Sequence, residues 1–258
     1  MSFTIATWNV NSLKVRLPQV LEWLEAYKPD VLALQETKLT DEFFPVEEIK
    51  SAGYESTFSG QKTYNGVAIL ARKKATNIVT DIPELHDPQR RVLAVTLGDV
   101  RILDIYVPNG ESVVSEKYQY KLNWLKHLDL YLKHELKTHS KMIILGDFNI
   151  APAEIDVYDP SAWEGQVLFS EKERAAFQDM LNLGFVDCFR ALSPKEKTFS
   201  WWDYRMNAFK RDMGLRIDHI LASTPLAAHC KRCFIDKLPR VSERPSDHAP
   251  VVAEFNFT

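Results

Sequence analysis

The chain is predicted to be an α/β protein in which β-sheets pack on one another and helices lie outside. Three observations lead there. Strand-like apolar runs recur along all 258 residues. Only a few helical patterns interrupt them. Strands and helices are mixed along the chain, which favours stacked sheets with helices covering their outer faces. Pro and Gly are scattered and no low-complexity run or repeat is present, so a single domain over residues 1–258 is expected.

In order, strands are expected near residues 3–8, 31–35, 54–59, 66–72, 76–80, 92–97, 100–106, 142–146, 198–202, 216–222, 229–236 and 250–257. Between the first two, Leu17, Leu21, Leu24 and Tyr27 keep a helical spacing, and Pro29 stops that helix. Tyr118, Leu122, Leu125, Leu128, Leu132 and Leu136 keep the same spacing over five turns and give the clearest helix. A third helix is expected over 171–183, with Phe177, Met180 and Leu181 on one face and Gly184 after its end.

Hydrophobic residues make up 45% of the chain, enough for a sizeable core. No apolar stretch approaches the ~20 residues of a membrane span. No basic region precedes the first apolar run, so no signal peptide is expected and the cytoplasm is the default location. Cys188, Cys230 and Cys233 cannot make a disulfide framework. Cys230 and Cys233 form a lone C-x-x-C without further zinc ligands, and on a regular strand their side chains face opposite ways. The net charge of −3 argues against a general polycation. Arg72-Lys73-Lys74, Arg90-Arg91, Lys210-Arg211 and Lys231-Arg232 are candidate local basic faces, and each taken alone reads as solvated surface charge.

Six apolar runs end in acids, amides or His. They lead into Asn9 and Asn11, into Gln35-Glu36, into Tyr106 and Asn109, into Gly146-Asp147-Phe148-Asn149, into Asp218-His219, and into Ser246-Asp247-His248. Polar groups just past strands lie at a sheet edge, where α/β sheets bind ligands. These side chains are oxygen ligands for a hard cation and donors for an oxyanion. Mg²⁺ takes one or two carboxylates plus water and substrate phosphate. Glu36 suits that role, with Asn9 and Asp247 beside it; the competing reading of Glu36 is a strand-end salt bridge to Lys38 or Lys14. On an extended segment Asp147 and Asn149 point one way and Phe148 points into the core. Asp147 then accepts a proton from water and Asn149 donates to a phosphoryl oxygen. The competing reading is an Asx turn closing the strand. Asp218 is placed to orient the His248 ring, while His219 points elsewhere. Tyr106 joins the groups that neutralise charge on the phosphate. His127 and His134 read as surface residues. The chemistry described is metal-assisted phosphodiester hydrolysis.

These motifs, in this order, resemble the exonuclease III family of abasic-site DNA repair nucleases, within the endonuclease/exonuclease/phosphatase superfamily. The matching stretches are Thr7-Trp8-Asn9-Val10-Asn11-Ser12, Leu34-Gln35-Glu36-Thr37-Lys38, Tyr64-Asn65-Gly66-Val67-Ala68, Tyr106-Val107-Pro108-Asn109-Gly110, Gly146-Asp147-Phe148-Asn149, Gly214-Leu215-Arg216-Ile217-Asp218 and Pro245-Ser246-Asp247-His248-Ala249-Pro250. They run from residue 7 to residue 250. The resemblance implies a DNase I-like four-layer α/β sandwich, two mixed β-sheets face to face with helices outside. It implies a hydrolase of duplex DNA, dependent on Mg²⁺ (or Mn²⁺), acting at 3′ ends and 5′ of abasic sites. Glu36 is then the main metal ligand with Asn9 and Asp247 nearby. Asp147 and Asn149 are the catalytic pair, Tyr106 a phosphate contact and Asp218–His248 an oriented dyad. Asn11, Asn109, Trp201 and Arg205 are expected to contact substrate, Arg205 by entering the duplex; of Trp201 and Trp202 at most one can face the pocket. Residues 158–169 are bulky at Trp163 and Val167-Leu168-Phe169, which predicts a partly filled pocket and a tilt towards trimming 3′ ends. RNA or a small phosphoester on the same fold, and a catalytically dead DNA-binding module, are the alternatives. A monomer is the default.

Overall fold

The computed structural model describes residues 2–257. Its strands are β1 (Ser2–Asn9), β2 (Val31–Gln35), β3 (Glu55–Ser59), β4 (Val67–Ala71), β5 (Thr76–Val79), β6 (Val92–Leu97), β7 (Val100–Tyr106), β8 (Met142–Asp147), β9 (Phe185–Asp187), β10 (Asp218–Ser223), β11 (Cys230–Ile235) and β12 (Val251–Asn256). Its α-helices are α1 (Leu13–Tyr27), α2 (Val46–Ser51), α3 (Glu116–Glu135), α4 (Pro160–Trp163), α5 (Glu171–Asn182), α6 (Cys188–Leu192) and α7 (Thr224–Ala227).

The strands form two six-stranded sheets, ordered β11-β12-β1-β2-β4-β3 and β5-β6-β7-β8-β10-β9. Each is mixed through one parallel pair, β1–β2 in the first and β7–β8 in the second. A parallel pair needs a long crossover, and α1 and α3 supply them. Ile5, Val31, Ala33 and Val67 of the first sheet share one buried cluster with Leu93, Ile102, Ile143, Leu145 and Ile220 of the second. Ala6, Trp8, Leu32 and Leu34 face outward onto Val20, Trp23 and Leu24 of α1 and Ile49 of α2. Leu103, Ile105, Met142 and Ile144 face outward onto α3 and α5 through Trp124, Leu128, Phe177 and Met180. The molecule is therefore a four-layer sandwich with two mixed sheets at its centre.

The alternation positions the polar residues. Ile5, Ala33, Ile102, Leu145 and Ile220 point between the sheets. With a period of two, Thr7 and Asn9, Gln35, Asp104 and Tyr106, Asp147 and Asp218 continue those inward columns to one end of the sandwich. Tyr106 and Asp218 both pair in register with Asp147 across β7–β8–β10.

Three expectations are corrected. Residues 198–202 are not a strand: Trp201 makes only isolated bridges to Leu215 and His248, because the segment crosses the sandwich end instead of joining a ladder. The three-residue β9 and the short α2, α4, α6 and α7 were not anticipated. Cys230 and Cys233 do not face opposite ways, since a β-bulge between Cys230 and Arg232 turns both thiols onto the core, where Cys188 joins them; all three are free.

Candidate active site

Loops at the sandwich end hold the site in strained backbone. Asn11, Ser12, Glu36, Lys38 and Asn149 all have positive φ, a costly conformation for residues with a Cβ that clusters at functional sites. Two glycines permit close approaches there. A Cβ on Gly66 sits 2.2 Å from Thr37 Oγ1, and one on Gly146 sits 1.9 Å from the Ile105 carbonyl oxygen.

Asn9 is the hub. Its Nδ2 donates to Glu36 Oε1 and to Asp147 Oδ2, each at 2.9 Å, and its Oδ1 accepts from the Asn11 N–H at 3.0 Å. The amide thus presents nitrogen, not oxygen, to the two carboxylates and bridges them as a donor. Asp147 Oδ1 accepts from the Asn149 N–H at 2.9 Å, which is an Asx turn. Asn149 is left-handed at φ 49° rather than extended, and Phe148 is fully buried. The Asx turn is therefore present, and the extended geometry expected to point Asp147 and Asn149 the same way is not. Asn149 Nδ2 donates to the Val107 carbonyl at 2.9 Å, its second N–H having no partner among the described residues, and Oδ1 accepts from Asn109 Nδ2 at 3.3 Å.

His248 is buried with Nδ1 2.9 Å and 3.0 Å from the two Asp218 oxygens and Nε2 3.7 Å from Asp147 Oδ2. Ser200 Oγ fixes Asp218, donating to Oδ2 at 2.6 Å while accepting from the Ile217 and Asp218 N–H groups at 3.0 Å. Burial pushes the His248 pKa down, but Asp218 and Asp147 outweigh it and raise it to about 10. Burial also raises Asp147, against the pull of His248 and with a push from Asp218, to about 7. The ring is thus an imidazolium with one N–H on Asp218 and the other facing Asp147. Burial first, and Glu36 second, hold the Tyr106 phenol well above its usual range, so it keeps its proton.

Glu36, Asp147 and His248 each offer one ligand atom within 4.8 Å of the others. Asp218 occupies Nδ1 of His248, and the two carboxylates are the hard oxygen donors that carry the fit to a divalent cation. Glu36 Oε2 also pairs with Lys38 at 2.9 Å. Asp247 lies outside this trio: it accepts from Trp201 Nε1 and from Asn11 Nδ2, each at 3.0 Å. Trp202 is fully buried and Trp201 only partly so. Trp201 packs on Ala151, Leu168, Phe169 and Leu215, together with Trp163 and Val167. Arg205 is exposed and paired with Asp203. Asn109 is exposed at the site's rim. His219 points away, with Nε2 2.8 Å from the Ile150 carbonyl and Nδ1 2.9 Å from Arg216.

Sequence reasoning missed Ser200, Lys38 as an Asn11 contact, and Lys121. Lys121, on α3, is fully buried beneath the loops. It donates to the Asn149 carbonyl at 2.7 Å and the Asn109 carbonyl at 3.1 Å, and it pairs with Glu173 of α5.

Residues 6–248 match the model of the endonuclease/exonuclease/phosphatase family. Exodeoxyribonuclease III of Haemophilus influenzae is 37% identical, over 96% of this chain and 98% of its own. Among solved structures, a variant of the 3′ phosphatase NExo from Neisseria bound to product DNA hairpin superposes with a TM-score of 0.98 at 46% identity, covering 99% of this chain and 100% of that one. An AP endonuclease from Archaeoglobus fulgidus superposes with a TM-score of 0.96 at 40% identity, with the same coverage. The chain belongs to the endonuclease/exonuclease/phosphatase family, in its exonuclease III branch.

Proposed function

We propose that this chain is a DNA repair phosphodiesterase that uses Mg²⁺ (or Mn²⁺) and hydrolyses duplex DNA at 3′ ends and 5′ of abasic sites. The single observation that carries the reading is the joining of two carboxylates, Glu36 and Asp147, to an Asp218-held imidazolium at the end of one sandwich. A buried carboxylate driven upward by burial beside an Asp218-held His is the kind of perturbed pair that clusters at catalytic sites, which favours an enzyme over a binding module. A divalent ion, when bound, would supply Lewis-acid polarisation of the phosphate; Glu36 and Asp147 would hold it, and Asn9 keeps their carboxylates in place. Asp147, buried beside the Asp218-held His248 ring, takes the proton of the attacking water. The His248 Nε2–H, the Tyr106 hydroxyl and the free Asn149 N–H donate to phosphate oxygens as negative charge grows. The relatives named exodeoxyribonuclease III and AP endonuclease support DNA as substrate. No helix among the described residues is long and apolar enough to cross a membrane. The reading takes the protein as a cytoplasmic monomer.

We further infer a bias towards 3′ ends. Leu168 is buried against the apolar cluster on which Trp201 packs, so residues 163–169 fill the space beside that ring. Leu168 has φ +76°, a backbone that Gly adopts without strain. Leu168→Gly therefore opens the space without stressing the loop and should raise abasic nicking relative to 3′ trimming; an unchanged ratio sinks the bias. The activity itself is tested with a 5′-labelled duplex carrying one abasic analogue, with Mg²⁺ or EDTA, on a denaturing gel. A ladder from the 3′ end with a weaker nick at the lesion is expected. No cleavage of either kind refutes a DNA substrate.

A further inference from the structure

Asp104 stands where an apolar side chain belongs. It lies in an inward column of β7 between Ile102 and Tyr106, with no exposure at all. No Lys, Arg or His among the described residues pairs with it. Its one side-chain partner is Gln35 of the opposite sheet, whose Nε2 donates to Asp104 Oδ1 at 2.7 Å and to Thr7 Oγ1 at 2.9 Å. Both amide N–H groups of Gln35 are thereby used. The other oxygen of each group, Gln35 Oε1 and Asp104 Oδ2, is buried and makes no hydrogen bond among the described residues, and the Ala68 backbone N–H is a further donor near the Asp104 carboxylate.

Two unmatched acceptors, one on each side of a single carboxyl–amide contact, have a simple resolution. A carboxylic acid and a primary amide close a ring of two hydrogen bonds, N–H to one carboxyl oxygen and O–H from the other to the amide oxygen. The first bond of that ring is present at 2.7 Å. The second would run from a protonated Oδ2 to Gln35 Oε1. With that proton the unpaired charge and both orphaned acceptors disappear together; without it a bare carboxylate sits in the middle of the sandwich, which burial strongly opposes. Burial outweighs the Gln35 and Ala68 donors and drives Asp104 well above the usual carboxyl range.

The pair lies one layer beneath the site. Gln35 precedes Glu36, Thr7 lies two residues before Asn9 in the same column, and Asp104 lies two before Tyr106. It joins β1 and β2 of one sheet to β7 of the other. Glu36 and Tyr106, which face each other across the two sheets, are carried by the strands it joins.

We propose that Asp104 is a positioning residue that carries its proton at neutral pH and forms a cyclic acid–amide pair with Gln35, fixing the spacing of the two sheets beneath Glu36 and Tyr106. The positioning half rests on the proposed metal-dependent reaction; the protonation half does not.

Two measurements test it. Infrared spectra of the intact protein at pH 7, as wild type minus Asp104→Asn, should show a carbonyl stretch of a protonated carboxylic acid that shifts in D₂O. Absence of that band overturns the proposal whatever the enzyme does. Asp104→Asn can close the same ring as an amide–amide pair, and Asp104→Leu cannot. The half-saturating Mg²⁺ concentration should therefore rise about tenfold in Asp104→Leu, the scale seen when groups supporting metal ligands are lost, and stay within about twofold of wild type in Asp104→Asn. Mn²⁺ binding followed by electron paramagnetic resonance should show the same order without turnover. Equal metal requirement in the two folded variants overturns the positioning role. Should Glu36→Gln also leave the metal requirement unchanged, the site assignment fails rather than the acid–amide pair.

Discussion

Replacing Lys121 by Met removes an ammonium with no exposed surface, whose partner Glu173 has none either. The magnitude follows from what each group has left. Glu173 keeps three donors, the Leu168 and Ser170 N–H groups at 3.0 Å and 3.1 Å and Ser170 Oγ at 2.5 Å. Its charge is therefore solvated in part, and the loss belongs at the lower end of the range for a broken buried pair, about 3 kcal/mol. The Asn149 carbonyl loses its 2.7 Å donor inside the protein, which adds about 1 kcal/mol. A loss of about 4 kcal/mol should lower Tm by roughly 10 °C in a domain of this size. Neutralising the stranded acid as well, in Lys121→Met/Glu173→Gln, should recover about half, since the unpaired charge is the larger part. Calorimetry on the parent, both single variants and the double variant gives the cycle. A Lys121→Met variant within about 1 kcal/mol of the parent, or a double variant no more stable than the single, refutes the reasoning.

Three other outcomes follow from the site. Asp218→Asn removes the carboxylate that raises His248, so the ring should lose its proton near neutral pH and kcat should fall by about 10²–10³; NMR titration of the imidazole and steady-state rates check both. His219 is buried beside Arg216, and burial followed by that cation depresses its pKa to about 4. The unfolded chain binds this proton below its ordinary value of 6.5 and the folded chain does not until about 4. The His219 contribution is therefore fully present above pH 6.5 and is lost between there and about 4, by about 3 kcal/mol at ~1.4 kcal/mol per pH unit; in urea unfolding the difference in stability between wild type and His219→Gln should shrink by that amount over this range, the other titrating groups cancelling in the comparison. DNA affinity should fall with the logarithm of salt concentration and depend little on sequence, because phosphates supply most contacts; fluorescence anisotropy on two unrelated duplexes in a salt series decides it.

The sandwich was legible because period-two alternation is a local signal: Ile5, Ala33, Leu145 and Ile220 alternate with residues of the outer clusters and leave Asn9, Glu36, Asp147 and Asp218 at strand ends. What escaped the sequence depends on distant partners. Lys121 sits between apolar stripe residues of α3, where a charge ordinarily reads as the solvated face; only its meeting with Glu173 of α5 shows it to be buried. Asp104 lies inside the strand expected over 100–106, and nothing in the run Ile102-Leu103-Asp104-Ile105 announces an amide on the other sheet. Ser200 lies in a crossing segment that composition cannot tell from a strand, and its role exists only through Asp218. The C-x-x-C was misread because one inserted residue reverses the facing of every side chain beyond it, and a bulge of that kind is set by pairing with β12.

The most direct test of the central claim is the rate of 3′-end cleavage of duplex DNA by wild type, Glu36→Gln and Asp147→Asn across a Mg²⁺ series with an EDTA control. The account predicts cleavage by wild type that EDTA abolishes, a Glu36→Gln variant that needs about tenfold or more Mg²⁺, and an Asp147→Asn variant slowed by at least about 10² at saturating metal. Cleavage that persists in EDTA, or an Asp147→Asn variant at the wild-type rate, contradicts it.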